Sequence, residues 1–419
     1  MKALIGLAAR SAWNRRFTLM LTVCSIALAT VLLLGIERVR TDLRANFSSA
    51  VSGTDLIVGA RSGSTQLLLY SVFRIGAATN NMGWQSVQAL AGHRAVAWVV
   101  PLSLGDSHRG FPVLGTTPDY FQHFRYGDRQ PLRLAEGQPF AQVFEAVLGA
   151  DVAQQLGYRL GQRLTLAHGS GELVAEHADK PFVVTGILAR TGTPVDRTVH
   201  ISLQSMEALH IDWLGGMQVP GMALSPEKLR QMDLQPRAVT AALVGLKSRP
   251  AVFSVQRWVA DYRGEPLMAI LPGVALDELW DVVGVGERAL LVMSALVGIV
   301  SLAGLVSVVL TSLNERRREL AVLRAVGAGL RHIVALLALE GALVTLLGAV
   351  LGLVLVLGLT AALGPWLQAH HGLVIGWGLP SPVQWALWSA VIATGWLASL
   401  LPGLRAYRLS LADGLSPRI

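Results

Sequence analysis

Histidine is the residue type in this chain best placed to do chemistry. Of ten histidines, seven lie between Glu37 and Arg288: His93, His108, His123, His168, His177, His200 and His210. His370 and His371 form a later pair. Neutral imidazole is a common ligand for zinc and copper. His168 and His177, with Glu172 and Glu176 between them, are the candidate metal ligands, because they would converge if they flanked a turn. Their spacing matches no standard metal motif, so solvated loop histidines are the competing expectation.

Two other places carry unusual charge. Asn314–Gly327, NERRRELAVLRAVG, is an Arg-rich segment of helical pattern set between two long apolar runs. Glu340 is an acid inside the second of those runs. An acid at a bilayer centre is costly. Glu340 lies only about 10 Å along a helix from Ile333, at roughly 1.5 Å per residue. It therefore reads as a near-interface acid that pairs with Arg324 or Arg331, rather than as a proton or substrate site.

Catalytic signatures are missing. No Gly-Lys-Ser or Gly-Lys-Thr occurs, so the chain has no P-loop for ATP. Neither HExxH nor GxSxG occurs. The sole cysteine, Cys24, sits in an apolar run and can close no intrachain disulfide. The expectation is a non-catalytic chain that holds no cofactor of its own, zinc at the external histidines excepted.

The elements that position these groups are membrane spans. The 419 residues are 52% hydrophobic and only 15% charged, outside the usual soluble range. A spanning helix needs roughly 20 apolar residues. Four segments qualify: 17–36, 289–313, 333–363 and 383–404. The first reads as an uncleaved anchor: its apolar core is longer than a signal-peptide core, and no small-x-small site follows that core before Glu37 and Arg38. Gly348 and Gly352 in the third form a GxxxG pattern that permits close helix packing.

Lys and Arg placement gives orientation. Lys2, Arg10, Arg15 and Arg16 precede the first span, five arginines lie between the second and third, and Arg405, Arg408 and Arg418 follow the fourth. Residues 364–382 have no Lys or Arg. Both termini and residues 314–332 are thus expected in the cytoplasm, with 1–16 as a helix at the lipid interface. Residues 37–288 and the short loop 364–382 are expected outside, and 405–419 form a cytoplasmic tail. The net charge of +8 is explained by this topology, so nucleic acid is not an expected partner.

Residues 37–288 read as an α+β domain. Strands are expected at Ser52–Ala60, Ala95–Pro101, Phe111–Leu114, Phe144–Leu148, Arg163–Ala167 and Pro181–Leu188. Short helices are expected at Asp151–Leu156 and Leu203–Leu209, and Arg38–Ser49 should extend the first span. Asp212–Pro250 has too weak a pattern to place elements. Glu265–Asp281 is expected to lead into the second span as a helix. The fold class is therefore a membrane protein of four transmembrane helices, with a large α+β extracytoplasmic domain inserted between spans one and two.

The stretch ERRRELAVLRAVGAGLRHIVALLALEGALVTLLGAVLG resembles the signature of the MacB/FtsX-type ABC permeases, the type VII ABC transporters. Glu315, Arg318, Glu319, Leu323, Arg324, Gly327, Ala328, Ile333, Glu340, Gly348 and Gly352 fall in step with it. The tail LPGLRAYRLSLADGL resembles the closing motif, without the usual Asp-Pro. SGTDLIVGA, VLGADVAQQLGYRLGQRLTL and FVVTGIL resemble the periplasmic core domain of that family.

The resemblance implies a bacterial inner-membrane permease with no fused ATPase. It implies a dimer, of two like copies or with a sister subunit, that recruits separate P-loop ATPases carrying ATP and magnesium. Glu315, Arg316, Arg317, Arg318, Glu319, Leu323, Arg324 and Gly327 would form the coupling helix on the ATPase. The family's mechanotransmission would then move the external domain against a periplasmic cargo or protein partner. The alternatives are FtsX-like signalling to a periplasmic effector, and a zinc-linked ABC system using the external histidines.

Overall fold

The computed structural model describes residues 16–50, 52–168, 177–214, 217–218, 224–315, 329–371, 375–376 and 378–408. The described residues fall into two compact units. One lies within Met1–Asp42, Gly284–Pro365 and Ile375–Ile419, and the other within Leu43–Val283 and Trp366–Val374. The helices that matter are α1 (Arg16–Ala50), α2 (Leu203–His210), α3 (Pro272–Glu315), α4 (Leu330–His371) and α5 (Pro382–Arg408). Among the described residues, α1, α3, α4 and α5 are long and apolar enough to cross a membrane.

In the helical unit the spans meet through small and hydroxylated residues. Ser25 and Ser301 join α1 to α3 at 3.1 Å between hydroxyls. A Cβ on Gly348 would lie 2.8 Å from Ile26, and one on Gly352 would lie 2.6 Å from Thr30 and 2.8 Å from the Ala27 carbonyl. The GxxxG pair thus lets α4 press against the backbone of α1. A Cβ on Gly341 would meet Ser399 at 2.2 Å, and the Trp388 indole donates to Ala349 O at 3.0 Å, so α4 and α5 are equally close. Arg38 donates to Gly376 O and Gly378 O at 2.5 and 2.9 Å, which ties the approach to α5 onto α1.

Gly352→Leu is expected to lower the stability of the purified full chain in detergent by about 1–3 kcal/mol, the usual range for overpacking. Gly358→Leu, where nothing lies within 4 Å of the added Cβ, is the control that should change little. Thermal unfolding of the three proteins side by side checks this.

Among the described residues, the other unit is built on one mixed sheet of eleven strands. In chain order they are β1 (Leu56–Ala60), β2 (Val96–His108), β3 (Phe111–Thr116), β4 (Leu134–Gly137), β5 (Glu145–Leu148), β6 (Arg163–Leu164), β7 (Ala167–His168), β8 (Phe182–Leu188), β9 (Val199–Ser202), β10 (Ala241–Leu246) and β11 (Leu267–Ile270). The spatial order is β11–β1–β10–β2–β3–β9–β5–β8–β4, with β7 on β2 and β6 on β8. Successive side chains leave a strand on opposite faces. Ile57, Ala241 and Leu243 accordingly enter one apolar core, and Leu56, Val58, Ala242 and Val244 enter another. Both faces are covered there, which explains why β1 reads as a continuous apolar run.

Two expectations are corrected. Glu265–Ile270 does not begin the second long helix: Leu267–Ile270 is the edge strand β11, paired with β1, and α3 starts at Pro272. Residues 364–371, expected in a loop, continue α4 through Pro365 to His371. Proline removes one backbone hydrogen bond, and a long apolar helix absorbs that loss. In the stretch that resisted reading, Ala241–Leu246 is the sheet strand β10. Gly245 lets it pass the Trp98 ring, which a Cβ would meet at 2.1 Å.

Candidate metal centre

Asp106 lies on the late part of β2, within the irregularity between Leu104 and Ser107. β7 pairs antiparallel with that part, in a register that sets His168 opposite Asp106. His177 returns beside it, its backbone N–H donating to Leu166 O at 2.8 Å. His210 is the last residue of α2, a helix capped at its start by the Ser202 hydroxyl accepting from Ser205 N. One ligand atom from each of Asp106, His168, His177 and His210 lies within 4.8 Å of the others.

Three of these atoms form a tight triangle. Asp106 Oδ1 is 3.1 Å from His168 Nδ1 and 3.2 Å from His210 Nε2, and the two nitrogens are 3.0 Å apart. The other nitrogen of His210, Nδ1, lies 2.9 Å from Met206 O. That carbonyl can only accept, so Nδ1 carries the proton, and neutral His210 turns the Nε2 lone pair toward the triangle. His177 is buried, and among the described residues neither of its ring nitrogens has a hydrogen-bond partner. Asp106 Oδ2 is likewise buried without one. The Trp213 ring covers His177, with centroids 4.1 Å apart.

Burial pushes the Asp106 carboxyl up, but hydrogen bonds from His168 and His210 outweigh it and hold the group at about 2. Burial pushes His177 down to about 4, against the attraction of Asp106. Burial also opposes a charge on His210, and the hydrogen bond and charge of Asp106 overcome it, so that group is raised. At neutral pH the cluster therefore presents one carboxylate and at least one neutral, unpartnered imidazole. Beneath it, the buried Lys180 ammonium pairs with Asp212, and the Lys180 N–H donates to His177 O at 3.1 Å.

His168 and His177 are brought together as ring neighbours, with centroids 6.5 Å apart. Asp106 and His210 were not singled out in the sequence, and no local signal marks them; the pairing of β2 with β7 and the length of α2 do. Glu172 and Glu176 lie outside the described residues. So do Arg316, Arg317, Arg318, Glu319, Leu323, Arg324 and Gly327, and residues 1–15 of the expected interfacial helix; Glu315 is the last residue of α3. Glu340 lies half-buried on α4.

The remaining external histidines are held otherwise. His123 stacks on Trp98 and His93 tilts against Trp258. His200, on β9, is buried against Tyr120 and Phe121. Burial, with the Arg74 charge adding, pushes it down to about 3. A histidine depressed on folding stabilises the fold fully above its unfolded value near 6.5, and that contribution is lost as pH falls toward the folded value. The stability of the external domain is thus expected to fall below about pH 6.5, by up to about 1.4 kcal/mol per pH unit for this group. His200→Asn should flatten the pH dependence of the thermal midpoint; an unchanged slope would contradict it.

Family models match most of the chain. A MacB-like periplasmic core domain matches residues 19–239 and an FtsX-like permease C-terminal domain matches 291–411. The macrolide export ATP-binding/permease protein MacB of Wolinella succinogenes is 33% identical over 107 residues, covering 25% of this chain and 15% of that protein. The lipoprotein-releasing system transmembrane protein LolC of Neisseria meningitidis is 23% identical over 250 residues, covering 59% of this chain and 55% of that one. Among solved structures, the periplasmic region of MacB from Actinobacillus actinomycetemcomitans covers 56% of this chain and 95% of its own, at 12% identity and a TM-score of 0.36.

Proposed function

The chain belongs to the MacB/FtsX-type ABC transporter permeases, and from that membership we propose that it couples ATP hydrolysis by a separate P-loop ATPase to movement of its external domain. The observation that carries this reading is the FtsX-like match over 291–411, which runs through the Arg-rich segment between α3 and α4. A charged segment held between two stiff spans can receive a push. α1 has 35 residues and α3 has 44, against the roughly 20 that a bilayer needs. Unbroken helices of that length carry displacement without absorbing it in a loop.

The same reading puts both termini in the cytoplasm of a bacterial inner-membrane protein, by the placement of Lys and Arg. It sets two permease copies side by side, each seated on an ATPase through residues 315–327. The external domain would act on a periplasmic cargo or protein partner, so that nothing need pass through the permease itself. ATP and magnesium belong to the ATPase.

Affinity purification of the full chain from its native host in mild detergent, with nucleotide present, tests the coupling. A P-loop ATPase in equal amount is the expected companion. Repeated recovery without any ATPase would remove the coupling role from the Arg-rich segment.

A further inference from the structure

We propose that Asp106, His168, His177 and His210 form a binding site for a divalent transition-metal ion of the zinc class on the external domain. This goes beyond the permease reading and does not depend on it, since the site lies wholly within the external unit.

The triangle needs a positive centre. Its three edges are all at hydrogen-bond length, yet there are too few protons to fill them. With His210 Nδ1 donating to Met206 O, neutral His210 points a lone pair at the Asp106 carboxylate. Two lone pairs at 3.2 Å repel unless a proton or a metal ion lies between them. An extra proton on His210 fills one edge, but it leaves the two nitrogens of His177 and Asp106 Oδ2 buried without partners among the described residues. A metal ion answers the cluster as a whole.

The donor set and its spacing fit such an ion. Three imidazoles and one carboxylate are the nitrogen and oxygen ligands that zinc takes in tetrahedral sites. Ligands at about 2.0–2.1 Å from a tetrahedral ion lie about 3.3–3.4 Å from one another. The triangle edges of 3.0–3.2 Å need to open by only a few tenths of an ångström. His177 is the outer member, and rotation of its ring closes the rest of the 4.8 Å span. The carboxylate is buried, whereas the His168 and His210 side chains are 41% and 31% exposed. The ion therefore has an aqueous entry.

An ion there would tie β2, β7, the segment at His177 and the end of α2 into one unit, beneath the Trp213 ring. The ligands come from distant parts of the sequence, so binding should stiffen the external domain as well as fill a site.

The test uses the full chain in detergent, stripped with a chelator and titrated with zinc at pH 7.5 against a chromogenic competitor. One ion per chain is expected, with a rise in thermal midpoint. Cobalt(II) should give the intense visible absorption of a tetrahedral site. His177→Ala and the near-isosteric Asp106→Asn should each weaken zinc by about 100-fold or more, since losing even an outer-shell partner costs 10–100-fold. His93→Ala, outside the cluster, should bind as the parent does. Asp106→Asn keeps the side-chain shape, so its behaviour stands if His177→Ala fails to fold. Binding below one ion per chain, or unchanged in Asp106→Asn, overturns the proposal.

Discussion

Reversing Arg316, Arg317 and Arg318 to glutamate should reduce association of the chain with its ATPase by at least about 100-fold, or about 2.7 kcal/mol. Three reversals move the local charge by six units. Like charges set against a complementary surface cost several kcal/mol, and truncating a single paired buried charge costs about 2–5. The triple variant should still insert, because Arg324 and Arg331 remain to hold the segment on the cytoplasmic side. Arg249→Glu, an exposed site on the external domain, is the matched control and should associate as the parent does. Co-purification from membranes at two salt concentrations reads both the loss and its electrostatic origin. Equal recovery of ATPase by the triple variant and the control would mean that the segment does not seat on it.

The second large effect lies in the external domain. Lys180 is fully buried and its ammonium is paired with Asp212, with Leu209 O a more distant acceptor at 3.4 Å. Asp212→Ala leaves that ammonium buried beside the Leu209 carbonyl and the half-exposed Asp179 carboxylate at 3.9 Å. Breaking a buried pair from one side costs about 3–5 kcal/mol, whereas replacing both partners with apolar residues of similar volume costs far less. Asp212→Ala should therefore be strongly destabilised, and Lys180→Met with Asp212→Leu should recover much of the loss. Denaturant unfolding followed by hydrogen exchange on strands β7 and β8 locates the effect. A small loss in Asp212→Ala would mean that the pair is wetter than its burial indicates.

The helical layout was legible because it depends on composition alone. Long apolar runs between arginine clusters mark spans whatever their neighbours do, and all four appear as helices. Leu56–Ala60, covered on both faces, and Phe182–Leu188, fully buried at alternate residues, were legible as apolar runs between Gly, Asp and Pro. Ala241–Leu246 was not, because two alanines, two separated leucines, a glycine and a single valine carry little strand preference; its place comes from pairing with β1 and β2. Leu267–Ile270 was misread because a short apolar run next to a long helix has no period of its own.

The cluster of Asp106, His168, His177 and His210 was half legible. His168 and His177 stood out as two histidines separated by a polar stretch. Asp106 is 62 residues away from His168 in the sequence, and only the register of β7 on β2 makes them neighbours. His210 closes the set because α2 ends where it does. Neither fact has a local signature, so proximity through a sheet remained invisible until the strands were paired.

The proposed coupling has ATP on the cytoplasmic side move the external domain. Spin labels at Phe253→Cys, an external position 74% exposed, in a Cys24→Ser background, report the distance between two permease copies in the complex with ATPase. The distance is expected to change by several ångströms when ATP is trapped with vanadate, and to return when nucleotide is removed. A single distance in all nucleotide states, in a complex that hydrolyses ATP, would contradict it.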